Sequence, residues 1–348
     1  MRKIIYLSCT ICLFLAACEP YFSGLDIKND HEPDISTVMG DINQYPSLIG
    51  GAYNNWWHHM LAANDGDTWT FSTNSDAMTA GAGNWNLQTY YYRTDYEKPM
   101  IDNTDQNAGF PKTLWYNHYS KISTVRNMLA MINEKELVYT EGNKDQTFKI
   151  LANCYFLMGS FYTELSLLFD QCFLITEDTD LRTITADDIK PAKDAKDLAL
   201  SYLDKCIEIC NAQSFTNFSG LLPSDVVGDN TKLRQFANFM AARAEAYHPR
   251  TKEEYASVDW NKVKGYIDEG LKEDIKAQLP LQGWDEWSYA AASWPGGNQW
   301  GRVGMRVINM MAEPGDPGAI WPLPNDFGQG DILPEAKSPD YRLGTDFQ

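Results

Sequence analysis

A chain of 348 residues with 44% apolar side chains has the material for one large domain or two average ones around a continuous core. Its formal charge of −18 would repel a phosphate backbone, which excludes nucleic acid as a partner and leaves neutral or cationic ligands open. Aromatic residues depart from the ordinary: 11 Trp, 19 Tyr and 15 Phe are more rings than a helical core needs, so some are displayed, and displayed rings usually bind something.

At the amino terminus Met1-Arg2-Lys3 supplies positive charge, and residues 4–14 form an apolar run too short to span a bilayer. Leu15-Ala16-Ala17-Cys18 follows and resembles the lipobox of bacterial lipoproteins; the competing reading is an ordinary signal peptide with a Cys at that place. Residues 1–17 are then a removable signal, and Cys18 becomes the lipidated first residue. Loss of Arg2 and Lys3 takes the formal charge from −18 to −20. Several acyl chains on one terminus would hold the protein stably on a membrane, where a single chain would be marginal. Residues 18–34 are polar, aperiodic and contain Gly and Pro, as a tether should. Of the seven Cys, Cys9 and Cys12 leave with the signal; Cys206 and Cys210 sit one helical turn apart, a poor geometry for a disulfide and a common one for small core residues. With Cys154 and Cys172 they suggest neither a disulfide scaffold nor a metal site.

Residues 35–348 read as a single domain. A first helix is expected over 42–61, with Ile49, Tyr53, Trp56, Trp57 and Met60 on its apolar side and Gly50-Gly51 weakening it. Periodicity vanishes over 64–109, yet this Asn-, Asp-, Gly- and Thr-rich segment carries Trp69, Phe71, Trp85, Tyr90, Tyr91, Tyr92 and Tyr96. Disorder does not go with so many rings, so an ordered surface loop with a binding role is expected.

The clearest element is 110–170. Trp115, Tyr119, Ile122, Val125, Leu129 and Ile132 recur at helical spacing, and so do Phe148, Leu151, Tyr155, Met158, Tyr162, Leu165 and Phe169. Two such faces joined by the polar link 133–143 predict an antiparallel helical hairpin. A connector biased to Asp and Thr follows over 171–191. Further helices are predicted through Ala195, Leu198, Tyr202, Cys206 and Ile209, through Leu233, Phe236, Met240, Ala244 and Tyr247 up to Pro249, and through Trp260, Val263, Ile267 and Leu271. Their starts keep no fixed period, and the signature of a 34-residue tetratricopeptide array is absent, so the stack is at most a degenerate relative of one. Residues 280–348 form a second irregular region, rich in Pro, Gly and Trp, with a short extended piece expected at 302–309.

Trp115, Tyr119, Ile122 and Asn127, then Ala152, Phe156, Tyr162, Leu165 and Phe169-Asp170, resemble the helical signature of SusD/RagB-type nutrient-binding outer-membrane lipoproteins of Bacteroidetes. The helix over 237–247, Asp259-Trp260 with Val263, and Ser338-Pro339-Asp340-Tyr341-Arg342 with Asp346-Phe347 are similar to the same pattern. The resemblance covers most of 18–348 and rests on order, spacing and the lipobox together. Family members usually run longer, so the chain looks cut off after Phe347. The resemblance implies a mostly α body of tetratricopeptide-like helical pairs, with irregular aromatic loops packed on the stack. It also implies a lipid-anchored protein facing outward from the outer membrane, which captures oligosaccharides or peptides for a SusC-like TonB-dependent transporter.

Sugar binding also fits the residues. A pyranose offers an apolar C–H face to a ring, while its hydroxyls need amides, carboxylates or Arg at the rim. Asn84, Trp85 and Asn86 with Tyr92, and Trp287, Trp294 and Trp300 with Arg302, are the two clusters of that composition, although each Trp could equally pin its loop to the helices. Helical spacing assigns Trp115 and Trp260 to the core. Catalytic signals are weak: HExxH and GxSxG motifs are absent, His58-His59 point to different sides of a helix, and Asp65, Asp67, Asp285 and Glu286 read as solvated surface. An all-helical glycoside hydrolase using paired carboxylates is the alternative, and no cofactor is expected. Asn64-Asp65-Gly66-Asp67 hints at calcium without the remaining ligand spacing.

Overall fold

The architecture was obtained as a computed structural model, which describes residues 35–61, 78–80, 109–275 and 301–303. The described part is mostly helical. Its helices are α1 (Ile35–Gly40), α2 (Tyr45–Leu61), α3 (Gly109–Lys135), α4 (Thr147–Leu168), α5 (Ala192–Ala212), α6 (Asn230–Tyr247), α7 (Lys252–Ala256) and α8 (Trp260–Glu269). Six short strands pair two by two and antiparallel: β1 (Met78–Ala80) with β6 (Gly301–Val303), β2 (Thr140–Glu141) with β3 (Lys144–Asp145), and β4 (Gln171–Phe173) with β5 (Ile189–Pro191).

Helix starts follow local chemistry. The Asp229 carboxylate accepts from Lys232 N at 2.8 Å to cap α6, and Asp259 caps α8 by accepting from Asn261 N and Lys262 N. Thr251 and Glu254 close a reciprocal capping box around the five-residue α7. Gly50 and Gly51 do not interrupt α2, whose Ile49, Tyr53 and Trp56 are buried as expected.

The predicted hairpin is present. Trp115 near the start of α3 meets Phe169 just beyond the end of α4 with centroids 5.1 Å apart, and His118 meets Phe161, so the two helices run antiparallel. Their link differs from the expected plain loop: α3 runs on to Lys135, and Gly142, at φ 62°, turns the β2–β3 hairpin. The 171–191 connector is likewise shaped, by the β4–β5 pair and two 3₁₀ turns.

Helix α4 is the hub. Sixteen of its 22 residues are buried, so it is covered on nearly every side by α2, α3, α5 and α6. The face readable from periodicity is buried at Met158, Tyr162 and Leu165 and half-buried at Phe148, Leu151, Tyr155 and Phe169, while Ile150, Cys154, Phe156, Leu157 and Phe161 form further faces that are fully buried. Phe156 stacks on Tyr53 at 5.6 Å, and Trp56 lies edge-on to both Phe156 and Phe236, which joins α2, α4 and α6 through rings. Toward α5 the approach is closest at Gly159, where an added Cβ would stand 2.5 Å from Leu203 Cγ and 3.0 Å from the Ala199 carbonyl oxygen.

Three core assignments are overturned at the far end. Trp260 and Ile267 of α8 are exposed, and Val263 is that helix's one buried residue. Tyr247 also points outward, 74% exposed. The spacing of these residues is helical, but α8 lies on the edge of the stack and meets mainly α6. Polar bonds supplement its small apolar contact: Lys262 to Glu245 at 2.7 Å, Arg234 to Glu269 at 2.6 Å and Tyr266 to Asp204 at 3.0 Å. Cys154, Cys172, Cys206 and Cys210 are buried free thiols, as the spacing suggested. No described helix is long and apolar enough to cross a membrane.

Two glycines give opposite expected outcomes in thermal and urea unfolding. Gly159→Ala, which must push Leu203 or the α5 backbone away, lowers stability by about 1–3 kcal/mol. Gly51→Ala, where a Cβ meets nothing within 4 Å inside a helix, raises it by roughly 0.5–1 kcal/mol.

Candidate functional site

Asn84, Trp85, Asn86, Tyr92, Trp287, Trp294 and Trp300 lie outside the described residues, as do Cys18 and the signal and tether segments. Arg302 is in β6, directly opposite Thr79 of β1. This ladder is the informative feature, because β1 belongs to the irregular region 64–109 and β6 to the irregular region 280–348. Antiparallel register sets Ala80 beside Gly301. Trp300 is covalently next to Gly301, and Trp85 follows Ala80 by five residues, a chain reach of at most about 18 Å. The ladder thus joins a stretch of one irregular region to a stretch of the other, while the Trp residues of both clusters lie outside the described residues. Of the extended piece expected at 302–309, residues 302 and 303 are found in the strand Gly301–Val303, and the rest lies outside the described residues.

Within the described body most rings are engaged in packing. Trp115 contacts Tyr119, Phe169 and Phe173 with centroids 4.8–6.2 Å away, in keeping with its expected core role. Tyrosine hydroxyls at the α3, α4 and α5 positions read as apolar do a second job, which is to hold the 171–179 connector. Tyr119 Oη donates to Phe173 O at 2.9 Å and accepts from its N–H at 2.6 Å; Tyr162 Oη pairs in the same way with Ile175, at 2.8 and 2.6 Å. Tyr202 donates to Glu177, and the Lys205 ammonium stands 3.7 Å from the same carboxylate and 5.0 Å from both the Tyr155 and Tyr202 ring centroids. Arg126 completes the clamp. Its Nε donates to Thr176 O at 2.8 Å, and its Nη2 donates to Glu177 O and Thr179 O at 3.0 and 2.9 Å. Sequence reasoning missed Arg126 altogether; the available signal was Tyr in place of Phe at repeated core positions, since a buried phenol needs a partner for its hydroxyl.

Several charged groups bear on chemistry. Glu164, nearly buried on α4, is paired with Arg243 of α6. Burial pushes the Glu245 carboxyl up, but hydrogen bonds from Lys196 and Lys262 outweigh it and hold it below the usual carboxylate range. Hydrogen bonds from the Asn43 amide, from the Arg182 side chain and from the Thr185 amide do the same, respectively, for the exposed Asp41, Asp180 and Asp188. Glu245, Asp41, Asp180 and Asp188 are thus ions at neutral pH, suited to holding structure, whereas a glycosidase acid needs a carboxyl raised toward neutrality. Among the described residues no group of three or more His, Cys, Asp or Glu is arranged to hold a metal ion. Comparison with known proteins found no matching family model, no matching curated protein and no matching solved structure.

Removing the clamp is expected to be a local event. Arg126→Ala raises hydrogen exchange of the 171–179 amides and lowers global stability by about 1.5–3 kcal/mol, as loss of charge-assisted bonds to carbonyls should. A pH response follows from His118. Burial lowers its pKa below the ordinary 6.5, although the Leu114 carbonyl, 2.8 Å from Nδ1, and Glu164 both favour the proton. The unfolded chain therefore takes up this proton first. The stabilisation is complete above about pH 6.5 and is lost as pH falls toward the depressed folded value, by up to about 1.4 kcal/mol per pH unit. His118→Gln flattens the slope of unfolding free energy between pH 6.5 and roughly pH 5, above the window where the paired carboxylates titrate.

Proposed function

We propose that the protein is a cell-surface, lipid-anchored binder of the SusD/RagB type, which captures oligosaccharides and passes them to a SusC-like TonB-dependent transporter in the outer membrane. The observation that carries this reading is the β1–β6 ladder, which ties the two aromatic-rich irregular regions to each other. Stacking rings with amide and guanidinium rims, drawn from the two regions that the ladder joins, suit a sugar chain, whose rings present apolar faces and hydroxyl edges by turns.

The lipobox ending in Cys18, the order of the helices and the acidic balance support the same reading. The succession of α3 on α4, α4 on α5, α5 on α6 and α6 on α8 suits a stack of tetratricopeptide-like pairs. Arg302, opposite Thr79, is the rim residue nearest the ladder. Cargo and transporter are the partners, and no catalytic step is part of the function.

The expected outcome in native gels is retardation by at least one neutral polysaccharide, with no reducing ends released from it. Trp85→Ala and Trp294→Ala should each weaken retardation about tenfold while leaving the helical spectrum intact. Release of reducing ends would favour a helical glycoside hydrolase instead, and undiminished affinity in both variants would remove these residues from the site.

A further inference from the structure

Tyr255 and Trp260 form the one described ring contact in which both partners are largely open to solvent. Tyr255 is 57% exposed and Trp260 is 43% exposed, with centroids 5.0 Å apart and planes tilted by 58°. Tyr255 stands on α7, a helix with no buried residue, and Trp260 is the first residue of α8. Neither ring contributes to the main core.

The backbone beneath the rings is nonetheless fixed. The capping box of Thr251 and Glu254 closes α7 at its start, and Ser257 N donates to the Glu253 and Glu254 carbonyls at its end. Trp260 N donates to Val258 O at 3.0 Å, and the Asp259 carboxylate holds the next two amides. Two helices are thus joined by a three-residue link whose geometry sets both rings outward in contact. Rings held in this way lose little conformational entropy when a ligand settles on them.

Charge and area together select the ligand. Two of the three carboxylates nearest in sequence are committed to the backbone, Glu254 to the amides of Arg250 and Thr251 and Asp259 to those of Asn261 and Lys262, and the Lys262 ammonium is held by Glu245. The exposed neighbours Lys252 and Glu253 are of opposite sign. The platform therefore favours an uncharged ligand. Its open aromatic area is roughly 200 Å², taking about half of the ~150–250 Å² of each ring, far below the ~800 Å² per partner that a stable protein interface needs. That area matches the face of one or two sugar rings.

We infer that Tyr255 and Trp260 form a second glycan-stacking subsite, on the helical body and separate from the β1–β6 ladder. The inference takes its ligand class from the glycan-binding reading above and extends it to a place where the function would be avidity: a long neutral polysaccharide engages both sites, whereas a short one engages either. Lipid anchoring at a surface rich in polymer would gain from such a two-point hold.

The test follows indole N–H resonances of the isotope-labelled full chain, with Trp260 identified by the loss of its signal in Trp260→Phe. Neutral hexaoses of α-linked glucose, β-linked glucose, xylose and mannose are titrated separately to about 10 mM, the range expected of a small stacking site. The Trp260 signal should shift saturably with at least one of them, while that of Trp115, enclosed by Tyr119, Phe169 and Phe173, stays put. Tyr255→Ala, which removes no buried group, should weaken the response about fivefold. A Trp260 signal that no probe moves overturns the inference. If Trp85 or Trp294 responds in that case, the ladder reading survives it; if Trp260 alone responds, the subsite stands and the ladder assignment falls.

Discussion

The structure depends on one close approach, that of α4 to α5 at Gly159. The absence of a side chain there lets Leu203 and the Ala199 carbonyl come within the distance a methyl group would occupy. Brought this near, α5 covers one side of α4 while α2, α3 and α6 cover the others. A helix buried all round cannot rely on one apolar stripe. It needs apolar or internally bonded residues at nearly every position, and apart from Ser160, whose buried hydroxyl has no partner among the described residues, α4 has them: Thr163 and Ser166 donate to carbonyls of their own helix, Asn153 bonds to Lys149 O, Tyr53 and Asn217, and Glu164 is paired with Arg243.

Polar groups then decide what the hub can carry. Each of the tyrosines that packs on it from α3 or α5, and its own Tyr162, ends in a hydroxyl that grips the connector after α4, so that a segment rich in Asp and Thr is held against the body from its start. At the far edge the balance reverses, since α8 brings only Val263 into the core and ion pairs supply much of the rest. Exposed ion pairs are individually weak, so this edge is the least firmly fixed part of the stack. It is also where the rings of Tyr247, Tyr255 and Trp260 stand exposed.

Helical spacing made the frame legible in the sequence. The starts of α3, α4, α5, α6 and α8, the antiparallel hairpin and the burial of Cys206 and Cys210 follow from a period of 3.6 and a few capping residues. Periodicity says which residues share a face but not what lies opposite. It therefore found one side of α4 where several are buried, and placed Trp260 and Ile267 inside, whereas both are exposed. The β1–β6 pairing joins residues more than two hundred positions apart through backbone bonds alone, and three-residue strands leave no alternation to read. Of the candidate ligand-binding residues, Arg302 is thereby fixed to Thr79 across the ladder. The rest were chosen by composition, which identifies rings able to stack but carries no information on where they meet.

The account turns on that ladder as the link between the two aromatic regions and as the base of the ligand site. Met78 and Val303 face each other in its register, at a Cα separation that an antiparallel pair shares with a disulfide. The buried cysteines of the helical body would not compete for it. The most direct measurement is the polysaccharide affinity of a Met78→Cys/Val303→Cys chain, oxidised and reduced. The account predicts that the cross-link forms readily and that the oxidised protein binds at least as tightly as the reduced one. Failure to form the bond, or its formation with loss of binding, would contradict it.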